Sequence, residues 1–98
     1  MTDALTTTAG VIAATENTAL WARTTGSKAL FDRAVEHMPM GVPSSFQAWE
    51  PYPVYLREGK GSHVVDVDGN DYLDFHNGFG CMVVGHAHPK IAEAITRA

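Results

Sequence analysis

The chain has 98 residues, room for one small domain at most, and its 45% hydrophobic and 18% charged residues place it among globular sequences. A net charge of -4, with only seven Lys and Arg scattered from Arg23 to Arg97, excludes a nucleic-acid face, because neutralising phosphates needs clustered cations. The single cysteine, Cys81, excludes an intrachain disulfide and fits a reducing compartment.

Residues 1–25 are dominated by eight Thr and six Ala. They hold no sustained apolar stripe, so the expectation is a loose arm or frayed helix that needs a partner to settle. No Lys or Arg precedes Arg23, and the apolar run from Ala9 to Ala14 is short and interrupted by Gly10. Neither a secretory leader nor a membrane span is expected, and a soluble cytoplasmic protein is the default.

From residue 26 to 98 the pattern is that of a packed segment. Leu30, Phe31, Ala34, Val35 and Met38 make one apolar face of an amphipathic helix. Gly26-Ser27 is its expected N-cap and Pro39 its stop. The closely spaced Pro39, Pro43, Pro51 and Pro53 then forbid regular structure and predict a long extended loop. Within it, Ser44, Ser45, Phe46, Gln47 and Trp49 could line a pocket, but apolar anchoring of the loop by Phe46 and Trp49 is the commoner arrangement.

Val54–Arg57, Ser62–Asp66 and Asp71–Phe75 read as three strands of an antiparallel meander. Gly59-Lys60-Gly61 forms the expected first turn and Asp68-Gly69-Asn70 the second. Asp71, Leu73 and Phe75 share one face of the third strand, Tyr72 and Asp74 the other. Pro89, with His88 before it, opens a C-terminal helix whose Ile91, Ala94, Ile95 and Ala98 form an apolar face. That helix reaches Ala98 without a cap, so an exposed apolar face and a tendency to associate are expected. The fold class is therefore α+β: an N-terminal helix, a long Pro-rich loop, a three-stranded antiparallel meander and a C-terminal helix.

No motif completes a catalytic set. His86 and His88 near Cys81 lack the ligands of a tetrahedral zinc site. The Asp66–Asp71 run has its glycine, Gly69, in the wrong place for a calcium loop. Gly78-Phe79-Gly80 is not followed directly by a helix, as a phosphate cradle would be, so a close-packed turn near a ligand is the expected use.

Three blocks stand in order: Pro39-Met40-Gly41-Val42-Pro43-Ser44, then Gly61 to Asp74 containing Asp66-Val67-Asp68-Gly69-Asn70-Asp71-Tyr72-Leu73-Asp74, then Gly85-His86-Ala87-His88-Pro89. Together they resemble the N-terminal part of class III aminotransferases, fold-type-I pyridoxal-phosphate (PLP) enzymes, most closely the glutamate-1-semialdehyde 2,1-aminomutase branch. The resemblance covers Ser27 to Ala98. It implies an N-terminal segment of a homodimeric enzyme that acts on an amino acid or related amine with pyridoxal 5'-phosphate. By matching position, Ser44, Gln47 and Phe79 would be substrate-binding residues.

Gln47 stands where the aminomutase pattern has a carboxylate-binding arginine, and Phe79 where it has tryptophan. The resemblance therefore suits an ω- or β-amino-acid aminotransferase, or a racemase-like member, at least as well. It also implies that the Schiff-base lysine, the pyridinium partner and the phosphate loop lie downstream, since Lys28, Lys60 and Lys90 match no such context. No catalytic, cofactor-binding or metal residue is expected in this chain, which should be inactive alone. A truncated paralogue that pairs with a full-length partner is the alternative.

Overall fold

In the computed structural model, which describes residues 7–98, the first helix is α1 (Thr8–Ala22). Thr7 caps it, Oγ1 accepting from the Gly10 N–H at 3.1 Å. Its alanines favour helix regardless of face, and the Thr15 and Thr18 hydroxyls donate back to Val11 and Ala14 carbonyls at 2.9 Å instead of competing with the helix. So this part of the expected arm forms a regular helix with no buried residue; the rest of the arm, residues 1–6, lies outside the described residues.

α2 (Thr25–Ala34) follows after one break. It starts earlier than the expected Gly26-Ser27 cap, with Thr24 in the cap position. Thr24 is fully buried: Oγ1 donates to the Leu20 carbonyl at 3.0 Å and lies 3.1 Å from the Tyr52 hydroxyl. Helix contacts therefore fix the boundary more than cap propensity does. Pro39 holds Met38 extended, and the loop beyond is punctuated by two single 3-10 turns, Pro39–Gly41 and Ser45–Gln47. Phe46 and Trp49 do not anchor this loop, being 82% and 70% exposed. Tyr52 does so instead. Its ring centroid lies 4.9 Å from that of Trp21 and 6.5 Å from that of Phe31, and it shares the small core with Val42, Thr24 and Ser27.

The contacts divide the chain into two compact units, one ending at Pro53 and the other starting at Val54. The second is built on β1 (Leu56–Lys60), β2 (His63–Asp66) and β3 (Asp71–Leu73), antiparallel and in sequence order, as the meander reading expects. The first turn differs from the expectation. Lys60 pairs with His63, so the turn is Gly61-Ser62, and Gly59 and Lys60 belong to the strand. Gly59 pairs with Val64, and the position needs glycine because the His86 ring packs on it: a Cβ there would come within 2.8 Å of His86 Cγ.

The second turn holds the expected Asp68-Gly69-Asn70 but starts one residue earlier, spanning residues 67–70. Gly69 takes φ +88°, and its N–H donates to the Asp66 carbonyl at 3.1 Å. The fully buried Asp66 carboxylate accepts from the Asp68 and Asn70 N–H groups, Asn70 Nδ2 and the Tyr72 hydroxyl, all at 2.8–2.9 Å. Burial alone would raise its pKa, but the hydrogen bonds outweigh that and hold it below the usual value.

Beyond β3 comes α3 (Asn77–Gly80), a single irregular turn, and then α4 (Pro89–Arg97). His88 caps α4, Nδ1 accepting from the Lys90 N–H at 3.3 Å. Among the described residues, no helix is long and apolar enough to cross a membrane.

Candidate functional site

The Pro-rich loop brings two of the three candidate residues together. Ser44 caps the Ser45–Gln47 turn, Oγ accepting from the Phe46 N–H at 3.3 Å, and the Gln47 N–H donates to the Ser44 carbonyl at 3.0 Å. One short turn thus sets the spacing of both side chains, and both are exposed. Beside this turn, Trp21, Phe31, Met40 and Trp49 wall an open cleft of about 750 Å³, with Asn17 and Glu50 as its polar members.

The third residue, Phe79, belongs to the second unit, and its loop is held from several directions. Asp74 Oδ1 accepts from the N–H groups of His76 at 2.8 Å and Asn77 at 2.9 Å. Asp74 Oδ2 lies 2.6 Å from His86 Nε2 in a pair whose side chains are only 12% and 22% exposed. The Asn77 N–H first, then His86, hold the Asp74 carboxyl down to about 2, well below its ordinary 3.8. His76 Nδ1 accepts from the Phe79 N–H at 3.3 Å, and the two rings meet edge to face at 4.2 Å.

Gly78, Phe79 and Gly80 all have positive φ, at 58°, 60° and 85°. Glycine takes this region freely, whereas Phe79 does so at a cost of about 1–2 kcal/mol. The ring that results is 73% exposed. A strained non-glycine residue presenting an aromatic face outward is the arrangement expected of a contact surface, and the surrounding hydrogen bonds keep it in place.

The residues present do not suit covalent attachment of PLP. Lys28 Nζ lies 2.7 Å from Asp32 in an exposed helical pair, and Lys60 and Lys90 are also exposed. Among the described residues there is also no group of three or more His, Cys, Asp or Glu side chains placed to hold a metal ion.

Sequence reading named Ser44, Gln47 and Phe79 as candidates but did not foresee the pair that supports Phe79. Asp74 and His86 stand in separate motif blocks, and neither local periodicity nor spacing joins them. Gly59 marks the approach only once it is known to lie in a strand, and in the sequence it reads as part of a turn.

Comparison with known proteins matches residues 45–98 to the family described as aminotransferase class-III. The glutamate-1-semialdehyde 2,1-aminomutase of Thermoplasma volcanium is 45% identical over 69 residues, covering 70% of this chain and 16% of the aminomutase. A solved transaminase with PLP bound superposes with a TM-score of 0.73 at 47% identity, over 76% of this chain and 18% of that one. A β-phenylalanine aminotransferase from Variovorax paradoxus gives 0.75 at 28% identity, over 78% of this chain and 18% of that one. The chain spans less than a fifth of the length of each, and what it matches is the N-terminal segment of these enzymes.

Proposed function

We propose that this chain, which belongs to the class-III aminotransferase family, works as the N-terminal segment of a PLP-dependent aminotransferase or aminomutase and forms part of its substrate-side wall. The observation that carries the reading is Phe79, an exposed aromatic held at positive φ on a tethered glycine loop within the matched residues. PLP supplies an electron sink for carbanion chemistry once it is bound. This chain's contribution is an apolar ring at Phe79 and, from the Pro-rich loop, the hydroxyl of Ser44 and the amide of Gln47. The lysine that attaches the cofactor would come from sequence beyond this segment. A cytoplasmic homodimer is the setting we assign to the complete enzyme.

Gln47 narrows the substrate. A neutral amide offers one or two hydrogen bonds, whereas an arginine would grip a carboxylate through two parallel charged ones. We therefore favour a substrate that needs no carboxylate grip at this position, such as a plain amine, over glutamate-1-semialdehyde. In a longer protein carrying this segment, Gln47→Arg should raise kcat/KM for a carboxylate-bearing amine by roughly tenfold, the size of one added charge-assisted contact. An unchanged ratio between carboxylate-bearing and plain amines would remove Gln47 from the substrate site.

The segment reading itself is tested by sequencing the coding DNA past codon 98. An in-frame lysine motif and phosphate loop support it; their absence from the continuing reading frame would sink it. The 98-residue chain mixed with PLP and borohydride should yield no stoichiometric lysine adduct.

A further inference from the structure

Contacts within its own loop and contacts from outside it both support Phe79. His86 is pinned to the β1–β2 turn by two backbone hydrogen bonds with Gly61, at 2.9 and 2.8 Å. Gly85 makes that approach possible, since a Cβ there would lie 2.7 Å from the Gly61 carbonyl oxygen. The imidazole packs on Gly59 and places Nε2 at 2.6 Å from Asp74 Oδ2. The other Asp74 oxygen fixes the N–H groups of His76 and Asn77, and His76 in turn holds the Phe79 N–H and ring edge. A continuous chain of contacts thus runs from the β1–β2 hairpin to the exposed ring.

We propose that His86 is a positioning residue for Phe79: through Nε2 it orients the Asp74 carboxylate, and through Asp74 and His76 it sets the direction in which the Phe79 ring faces. That the ring faces substrate rests on the functional reading above, whereas the orienting role of His86 does not. Hydrogen bonding to a carboxylate places a proton on Nε2, which makes His86 the donor to Asp74. The competing role is plain filling of the space above Gly59. The two differ in chemistry, because filling needs only volume and orientation needs a donor at the Nε2 position.

Three variants of the 98-residue chain separate them. Gln places an amide nitrogen near the Nε2 position, Leu keeps volume without a donor, and Ala removes both. The readouts are the nuclear Overhauser contact between the His76 and Phe79 rings and the hydrogen-exchange rates of the His76 and Asn77 amides. His86→Leu and His86→Ala should lose the ring contact and exchange these amides roughly tenfold faster, as expected for one charge-assisted hydrogen bond removed. His86→Gln should keep the contact and stay close to the original rates.

Retention of the ring contact in the leucine variant, or rescue by leucine as complete as by glutamine, would overturn the proposal. Should the alanine variant lose its sheet, the leucine variant carries the test, since it keeps the packing on Gly59. Failure of the functional reading looks different. If Phe79→Ala in a longer, active enzyme leaves KM for the amine unchanged, the ring is not at the substrate, while the exchange results still decide the role of His86.

Discussion

One Asp74 oxygen accepts two backbone N–H groups while the other faces an imidazole, so the carboxyl contributes only while ionised. Its pKa in the folded chain is lowered from 3.8 to about 2. A group depressed on folding adds stability that is fully present above the unfolded value and is lost as pH falls through the folded one. Order in the Phe79 loop should therefore be intact above 3.8 and disappear as pH approaches about 2. Asp74→Asn, which cannot titrate, should flatten this acid response in the exchange rates of the His76 and Asn77 amides. An identical acid profile in that variant would assign the response to another group.

Ala87 offers a cleaner measure of backbone strain than Phe79, because only a methyl group is at stake. It has φ 51° and is exposed, and an L-residue in this region costs about 1–2 kcal/mol. Ala87→Gly should stabilise the chain by about 1 kcal/mol after the greater freedom of glycine in the unfolded chain is deducted. Urea unfolding followed by circular dichroism measures it, and a lowered midpoint would contradict the assignment of strain.

The β2–β3 hairpin concentrates its polar energetics in a single side chain. Asp66 satisfies four donors from a fully buried position, so Asp66→Ala leaves those donors without their acceptor and should destabilise the chain by about 3 kcal/mol. Tyr72→Phe removes one of the four and should cost about 1.5 kcal/mol. Because both changes act on one carboxylate, the double variant should lose less than the sum of the two. Additive losses in urea unfolding would mean that the hydroxyl and the carboxylate act independently. This hairpin was legible in the sequence because a turn with Gly at positive φ is a local property of Asp68-Gly69-Asn70. The limits of β1 were not, since Gly59 reads as a turn residue, and the His86 ring that requires glycine there lies far along the chain. For the arm the sequence left a loose chain and a frayed helix both open, and the described part is a helix that buries no residue, its alanines favouring helix without an apolar face. At the candidate site, Ser44, Gln47 and Phe79 were named by their matching positions in the resemblance. Asp74 and His86 stood in those same motifs, but their pairing exists only in three dimensions.

At the scale of the whole molecule, one group of exposed apolar side chains lines a groove in the second unit. Cys81 to Gly85 and the Ile91, Ala92 and Ile95 positions of α4 line a groove of about 490 Å³. Val83 is 87% exposed and Ile95 71%. Sequence periodicity already placed Ile91 and Ile95 on one helical face, but periodicity reports which residues share a face and not whether anything covers it. Exposed aliphatic side chains grouped in this way mark an association surface. The 98-residue chain should therefore sediment faster as its concentration rises. Burying one isoleucine contributes about 1.5–3 kcal/mol, so Ile95→Lys, which sets a charge in the groove, should weaken self-association by at least roughly tenfold. Ile95 is largely exposed, and far-UV circular dichroism should be unchanged by the substitution. If sedimentation velocity finds the same association in both proteins, the contact lies on another surface and α4 has no part in it.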